Sequence, residues 1–190
     1  MTSLLPSEIG AERSVLGAAL LGHRELTLEL LSEVSAAEFY DPTHAAIWTA
    51  IVEVTAAGAA ADLVTVEARM RASGTFAHLA HRDGSGYLID LTIVAVVDGS
   101  LGHCRLIREA ATLRAMSYML DEARGAVMDR RAGSVELLAK LQRDAGELAM
   151  RGVTQPIRPI KPLLHEAAQR YEHVYKHKTA ITGVASGLLD

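Results

Sequence analysis

The sequence predicts an all-α protein, on three observations. Of 190 residues, 49% are apolar yet only eight are aromatic (Phe39, Phe76, Trp48 and five Tyr). Ala and Leu supply most of the rest, which suits helices packed closely through small side chains better than a β-sandwich built on Val, Ile, Thr and aromatics. Apolar residues also recur at helical spacing along most of the chain, with Ser, Asp or Thr before several periodic stretches and Gly after them.

Taken in order, Ser7 can cap a first helix, with Ile9, Val15, Leu16, Ala19 and Leu20 on one face up to Gly22. A second short helix runs through Leu26, Leu30 and Leu31. Asp41-Pro42 reads as an N-cap with Pro in the first turn, opening a helix through Ile47, Trp48, Ile51 and Val54 to Gly58. Asp62 or Thr65 caps the next helix, with Val66, Ala68 and Met70 inward and Gly74 just past its end. Residues 81–86 form a polar, Gly-rich loop, and Tyr87, Leu88 and Leu91 open another short helix. The β-branched run Thr92-Ile-Val-Ala-Val-Val97 has no partner strand and is expected as a buried helix end and loop.

The longest element starts near Leu101. Leu106, Ala110, Leu113, Met116, Leu120, Ala123 and Val127 advance by three or four residues at a time, an apolar stripe of about six turns. Residues 129–133 break it. Ser134 then caps a return helix carrying Val135, Leu138, Leu141, Ala145 and Leu148, which gives an antiparallel helical hairpin. Such a hairpin has more apolar stripe than one small head covers. Self-association through it follows, most simply as an isologous dimer; the alternative is burial of the whole stripe within the monomer.

Pro156, Pro159 and Pro162 mark residues 151–162 as an extended linker. After Pro162, residues 163–178 form an amphipathic linker helix with Leu163, Leu164, Ala167, Tyr171, Val174 and Tyr175 on one face. So short a helix is marginal alone and should dock on something, a neighbouring subunit being one host. Residues 179–190 read as the lead-in to a further domain. The expected organisation is a helical head over 1–98, a hairpin over 99–150, the linker, the linker helix, and that lead-in.

Composition excludes several functions. Cys104 is the only cysteine, which rules out an internal disulfide and a thiolate metal cluster and fits a reducing, cytoplasmic setting. The N-terminus lacks the basic and apolar regions of a signal peptide, and no run of about 18 apolar residues occurs. Residues 1–150 carry 13 Lys/Arg against 20 Asp/Glu, whereas residues 151–178 carry six against two. An acidic head is a poor phosphate binder. The basic tail can contact nucleic acid or an acidic partner, or can be a solvated linker.

Chemistry-bearing motifs are sparse. The phosphate-cradling loop G-x-x-x-x-G-K-[ST] is absent, since no Gly-Lys pair occurs; Gly183 and Gly187 alone do not make one. No cofactor or metal site is expected. His78 and His81, and His173 and His177, have the spacing of metal pairs but no acidic or Cys partner beside them. His44 is expected to assist a helix start by capping or packing. Cys104 is expected to be an inert small hydrophobe, and Ser3, Ser7 and Ser14 to be caps. Arg130-Arg131 at the hairpin tip are the candidate partner-docking residues.

An ordered series of segments resembles the N-terminal half of the DnaB family of replicative DNA helicases. Ala11-Glu12-Arg-Ser14-Val15-Leu16-Gly17 looks like that family's opening helix, and Glu38-Phe39-Tyr40-Asp-Pro-Thr-His44-Ala-Ala-Ile47 its Phe-Tyr…His…Ile segment. Ala61-Asp62-Leu-Val64-Thr65-Val66 resembles its Asp-x-Val-Thr start, Gly86-Tyr87-Leu88-Ile-Asp-Leu91 its Tyr-Leu turn, and residues 103–114 the start of its hairpin. Residues 181–190 resemble the lead-in to its motor domain. The chain departs from the family at His103, where Tyr is usual, at Ser186, where Thr is usual, and over residues 94–98, where a Pro-containing loop is usual.

The resemblance implies a scaffold that pairs through its hairpins and assembles as a trimer of dimers into a hexameric collar. The hairpin dimer would rest on Leu106, Leu113, Met116, Leu120, Val127, Val135, Leu138 and Leu141. It also implies docking of the primase C-terminal domain and, in some members, a helicase loader, with DNA, ATP and Mg²⁺ handled by a motor domain outside these residues. A stand-alone helical protein that mimics this domain and regulates a helicase is the alternative. A helical DNA-binding regulator is the third reading, disfavoured by the acidic head and by the lack of a basic recognition helix.

Overall fold

A computed structural model describes residues 5–152 apart from residue 131. The expected linker beyond residue 152, the linker helix with Leu163, Leu164, Ala167, Tyr171, Val174 and Tyr175, the lead-in 179–190 and Arg131 lie outside the described residues. Within them the chain is all-α. The helices are α1 (Ile9–Leu20), α2 (Arg24–Glu33), α3 (Pro42–Ala56), α4 (Leu63–Ala72), α5 (Ser85–Ile93), α6 (Ser100–Met128) and α7 (Ser134–Gly152). Two 3₁₀ turns, Ala36–Glu38 and Thr75–Leu79, were not anticipated. Among the described residues β-pairing is limited to an isolated bridge between Leu21 and Asp62.

The helix starts follow their sequence signals where side chains can reach the free amides. The Asp41 carboxylate accepts from the Thr43 amide at 2.8 Å, with Pro42 in the first turn of α3. At α4 both expected caps act together: Asp62 accepts from the Thr65 amide at 2.8 Å, while the Thr65 hydroxyl takes the Asp62 amide at 3.0 Å. Gly74 takes φ +76° just past α4, a conformation that costs a glycine little. Ser7 does not cap α1: Glu8 holds the cap position, with no side-chain hydrogen bond. Ser134 is the first residue of α7 rather than its cap, and the first helical hydrogen bond runs from the Leu137 amide to the Gly133 carbonyl.

α1 is the central element of the head, packed on α3, α5 and α6, and buried along most of its length. At Gly17 the α5 backbone comes so close that a β-carbon would run into the Leu91 carbonyl. Trp48, fully buried on α3, is held by its indole N–H to the Val34 carbonyl at 3.1 Å and lies 5.3 Å from the Phe39 ring. Leu16, Leu30, Ile47, Ile51, Met70, Leu79, Leu88, Leu91 and Ile107 complete the core.

Several local expectations fail. Ala68 is exposed while Val66 and Met70 are buried, because only the latter two face α3 and the core. Ser85 and Gly86 belong to α5 rather than the preceding loop. The 92–97 run is a helix end and loop, but not a buried one: Ile93, Val94, Val96 and Val97 are exposed. α7 runs to Gly152, two residues beyond the expected end of the hairpin.

Candidate functional site

Three residues of the family-like segments meet inside the head. Glu12 on α1, His44 on α3 and Tyr87 on α5 are all buried. His44 Nδ1 lies 2.7 Å from Glu12 Oε2, and His44 Nε2 lies 2.6 Å from the Tyr87 hydroxyl. The Tyr40 and Asp41 amides also donate to the Glu12 carboxylate. Arg82 donates to the Tyr87 hydroxyl at 2.8 Å and pairs with Asp41. With the His44 proton on Nδ1 the accounting closes: Arg82 donates to Tyr87, Tyr87 to His44, and His44 to Glu12. A carboxylate in an apolar core is tolerated only when so satisfied. His44 is fully enclosed, so the triad braces three helices and does not face a substrate.

Burial pushes the Asp41 carboxyl up, but the His44 ring, the Thr43 amide and the Arg82 guanidinium outweigh it and hold the group below the usual carboxylate range. Burial pushes the Tyr87 phenol up.

One face of α6 enters the head through Ser100, Cys104, Ile107, Ala110 and Arg114, spaced by three and four residues. Arg114 is buried and donates to the carbonyls of Pro6 at 2.9 Å and Glu38 at 2.5 Å, with its guanidinium 5.4 Å from the Tyr40 ring centre. Arg108 bonds the Glu33 carbonyl and pairs with its carboxylate at 3.1 Å. Ser14 was expected as a cap. It lies instead within α1 and joins the α6 approach, accepting from the Val96 amide at 3.1 Å and bonding His103 Nδ1 at 3.0 Å.

The distal half of α6 leaves the head, and α7 folds back along it. Lys140 on α7 ties the arms, pairing with Glu122 at 3.1 Å and with Asp144 at 2.8 Å. α7 turns Leu137, Leu141, Asp144 and Leu148 inward, whereas Val135 and Leu138 are exposed. The expected stripe on α6 therefore divides. Ala110 is buried against the head, while Leu106 (48%), Leu113 (42%), Met116 (40%), Leu120 (57%) and Val127 (58%) stay open to solvent. Leu106, Leu113, Leu120 and Val127 recur every seventh residue, the period of a coiled-coil seam. At 1.5 Å per residue the seam is about 30 Å long.

Of the hairpin residues named from sequence, seven are exposed and Leu141 is half-buried against α6. Arg130 is exposed at the tip, with φ 51°. His78 and His81 are exposed as well. Among the described residues no group of three or more His, Cys, Asp or Glu is placed to hold a metal ion. Cys104 is buried, and burial pushes its thiol up to about 12, so it is neither nucleophile nor ligand at neutral pH. Sequence reasoning missed the roles of Glu12, Arg82 and Arg114. The signal for Glu12 was the lone carboxylate of a helix that is apolar apart from it, Arg13 and Ser14.

A braced helical head that projects a helical hairpin defines the class by fold: an all-α domain with an appended antiparallel hairpin. Residues 4–109 match the family described as DnaB-like helicase N terminal domain, and the chain belongs to that family. The match takes in the brace and the first turns of α6.

Over 96% of its length the chain is 30% identical to the replicative DNA helicase DnaB of Rhodothermus marinus, spanning 19% of that protein. Over its full length it is 27% identical to the replicative DNA helicase DnaC of Bacillus subtilis, spanning 42% of it. It thus spans well under half of these curated relatives. Its fold resembles the crystal structure of the N-terminal domain of DnaB helicase from Mycobacterium tuberculosis, with a TM-score of 0.67 at 24% identity over 75% of this chain and 99% of that one. It also resembles a structure described as that of a DnaB-like replicative helicase and its interactions with primase. There the TM-score is 0.61 at 22% identity over 94% of this chain and 39% of that one.

Proposed function

We propose that this chain is the organising part of a hexameric, ATP-dependent replicative DNA helicase: it pairs subunits through the hairpin and offers a docking platform to other replication proteins. The observation that carries the reading is the open, seven-residue-spaced row of Leu106, Leu113, Leu120 and Val127 along α6. A monomer gains nothing from a solvent-facing row of aliphatic side chains about 30 Å long, and a second copy covers it at once. Three such dimers would close a collar. Family membership and the relatives' description as replicative DNA helicases support the setting.

The docked partner would be the C-terminal domain of a primase, with Arg130 at the hairpin tip as its contact and a helicase loader as a second visitor. A relative in fold is described with its interactions with primase. ATP, Mg²⁺ and DNA would be handled by a motor domain that these 190 residues do not contain, since no Gly-Lys pair is present to hold a triphosphate. No described helix is long and apolar enough to cross a membrane, which is compatible with the cytoplasmic setting of replication.

Titration of a primase C-terminal domain against the 190-residue chain tests the docking. Saturable binding that is lost when Arg130 is replaced by Asp is expected; no binding, or binding indifferent to that change, overturns it. Reading the gene past codon 190 tests the setting. A Gly-Lys-Thr/Ser loop in the following segment supports the helicase, and a stop codon favours a stand-alone regulator.

A further inference from the structure

We propose that Arg114 is a positioning residue whose guanidinium fixes the direction in which the hairpin leaves the head. The direction matters on the reading that hairpins pair copies, since pairs close into a collar only if each hairpin leaves its head at a fixed angle. α7 packs on α6, so the hairpin is carried by α6. Arg114 is the last buried residue of that helix. From there to Met128 α6 runs on for about 20 Å, a lever that turns a small tilt at its root into ångströms at its tip.

The other buried residues of α6 are Ser100, Cys104, Ile107 and Ala110, small or aliphatic side chains. Apolar contact of that kind is non-directional, so it resists separation better than it resists tilt. Arg114 adds direction. It donates to the Pro6 carbonyl at 2.9 Å and to the Glu38 carbonyl at 2.5 Å, with the Tyr40 ring centre 5.4 Å from its guanidinium. Pro6 precedes α1 and Glu38 ends a 3₁₀ turn, so two separate segments of the head are held by one planar fork. Such a fork meets both acceptors only over a narrow range of helix orientation. Arg108, six residues earlier, grips the Glu33 carbonyl at the end of α2. It lies about 9 Å down α6 and about 120° around it, so the two arginines hold the helix from different sides.

Spin labels on Ala56→Cys in α3 and Glu136→Cys in α7 read the angle between head and hairpin in the full chain. Both positions are exposed. Cys104 can stay, because it is buried with its thiol pushed up to about 12. Excess unlabelled chain confines the measurement to distances within one molecule. With Arg114 in place one narrow distance is expected, and Arg114→Gln is expected to shift or broaden it. An unaltered distribution in Arg114→Gln overturns the proposal.

Two further measurements separate a lost clamp from a loosened head. Cys104 is expected to stay protected from maleimide in Arg114→Gln, because α6 keeps its seat. Exposure of that thiol together with the broadening overturns the clamp in favour of general unfolding. Tyr87→Phe weakens the head at the brace and is expected to leave the distance unchanged; the same broadening in that variant also overturns the proposal. A chain that sedimentation shows to be monomeric overturns the pairing of copies, while the distance within one chain still decides the clamp.

Discussion

Glu12 and His44, 32 residues apart in the chain, meet at 2.7 Å in a part of the head that water does not reach. The carboxylate also holds the Tyr40 and Asp41 amides, so it closes the loop that leads into α3 as well as orienting the imidazole.

Removing either partner strands the other. Glu12→Ala should cost about 3–5 kcal/mol, because His44 and two amides lose their acceptor together. Tyr87→Phe should cost about 1–3 kcal/mol, since His44 and Arg82 each lose one partner. Urea melts check both, and a fall in midpoint below 0.5 kcal/mol equivalent, about the size of an ordinary surface change, would contradict the brace.

Much of this architecture is visible in the sequence, and the rest is hidden for a physical reason. Asp41-Pro42, Asp62 with Thr65, and Gly74 mark helix ends because caps act within a few residues of themselves. The brace escapes because Glu12, His44 and Tyr87 sit on three helices, and no local rule says which turn of one meets which turn of another. Arg114 escapes likewise, since its acceptors at Pro6 and Glu38 are far away in the chain. The α6 stripe was recognised as apolar but not divided. Periodicity cannot tell that Ala110 faces the head while Leu106 and Leu113 do not. Exposure of Ile93 to Val97 runs against their composition for the same reason.

Close approach makes a glycine pair informative. Gly17→Ala should destabilise the head by about 1–3 kcal/mol, because its β-carbon would meet the Leu91 carbonyl, a backbone atom with little room to yield. Gly10→Ala, in the first turn of α1 with open space around it, should instead stabilise by about 0.5–1 kcal/mol. Thermal melts of the two variants moving the same way would contradict the packing described for α1 and α5.

Acid should loosen the head in a defined window. The Asp62 carboxyl is held down by the Thr65 amide; that of Asp41 is held down by the His44 ring, the Thr43 amide and Arg82 against the opposing effect of burial. A carboxyl depressed in the folded state contributes stability above its unfolded pKa of about 4, lost as pH falls through the lower folded value. Tm should therefore decline from about pH 5 toward pH 3. Asp62→Asn keeps a cap acceptor without the titration and should reduce that decline. An unchanged slope would contradict the assignment.

Cys104 offers a built-in report of opening. Its thiol should resist maleimide in the native chain and react on addition of denaturant, in step with loss of helicity. Rapid native labelling would mean that α6 does not sit in the head as described.

The central claim is that the α6 seam is an interface between copies, and the solution mass tests it most directly. Sedimentation equilibrium of the 190-residue chain should give at least twice the 20.3 kDa chain mass. It should return to the monomer mass when Leu113 and Leu120 are both replaced by Glu, with helicity retained. A wild-type mass of one chain at all concentrations, or an assembly indifferent to that double substitution, would contradict the account.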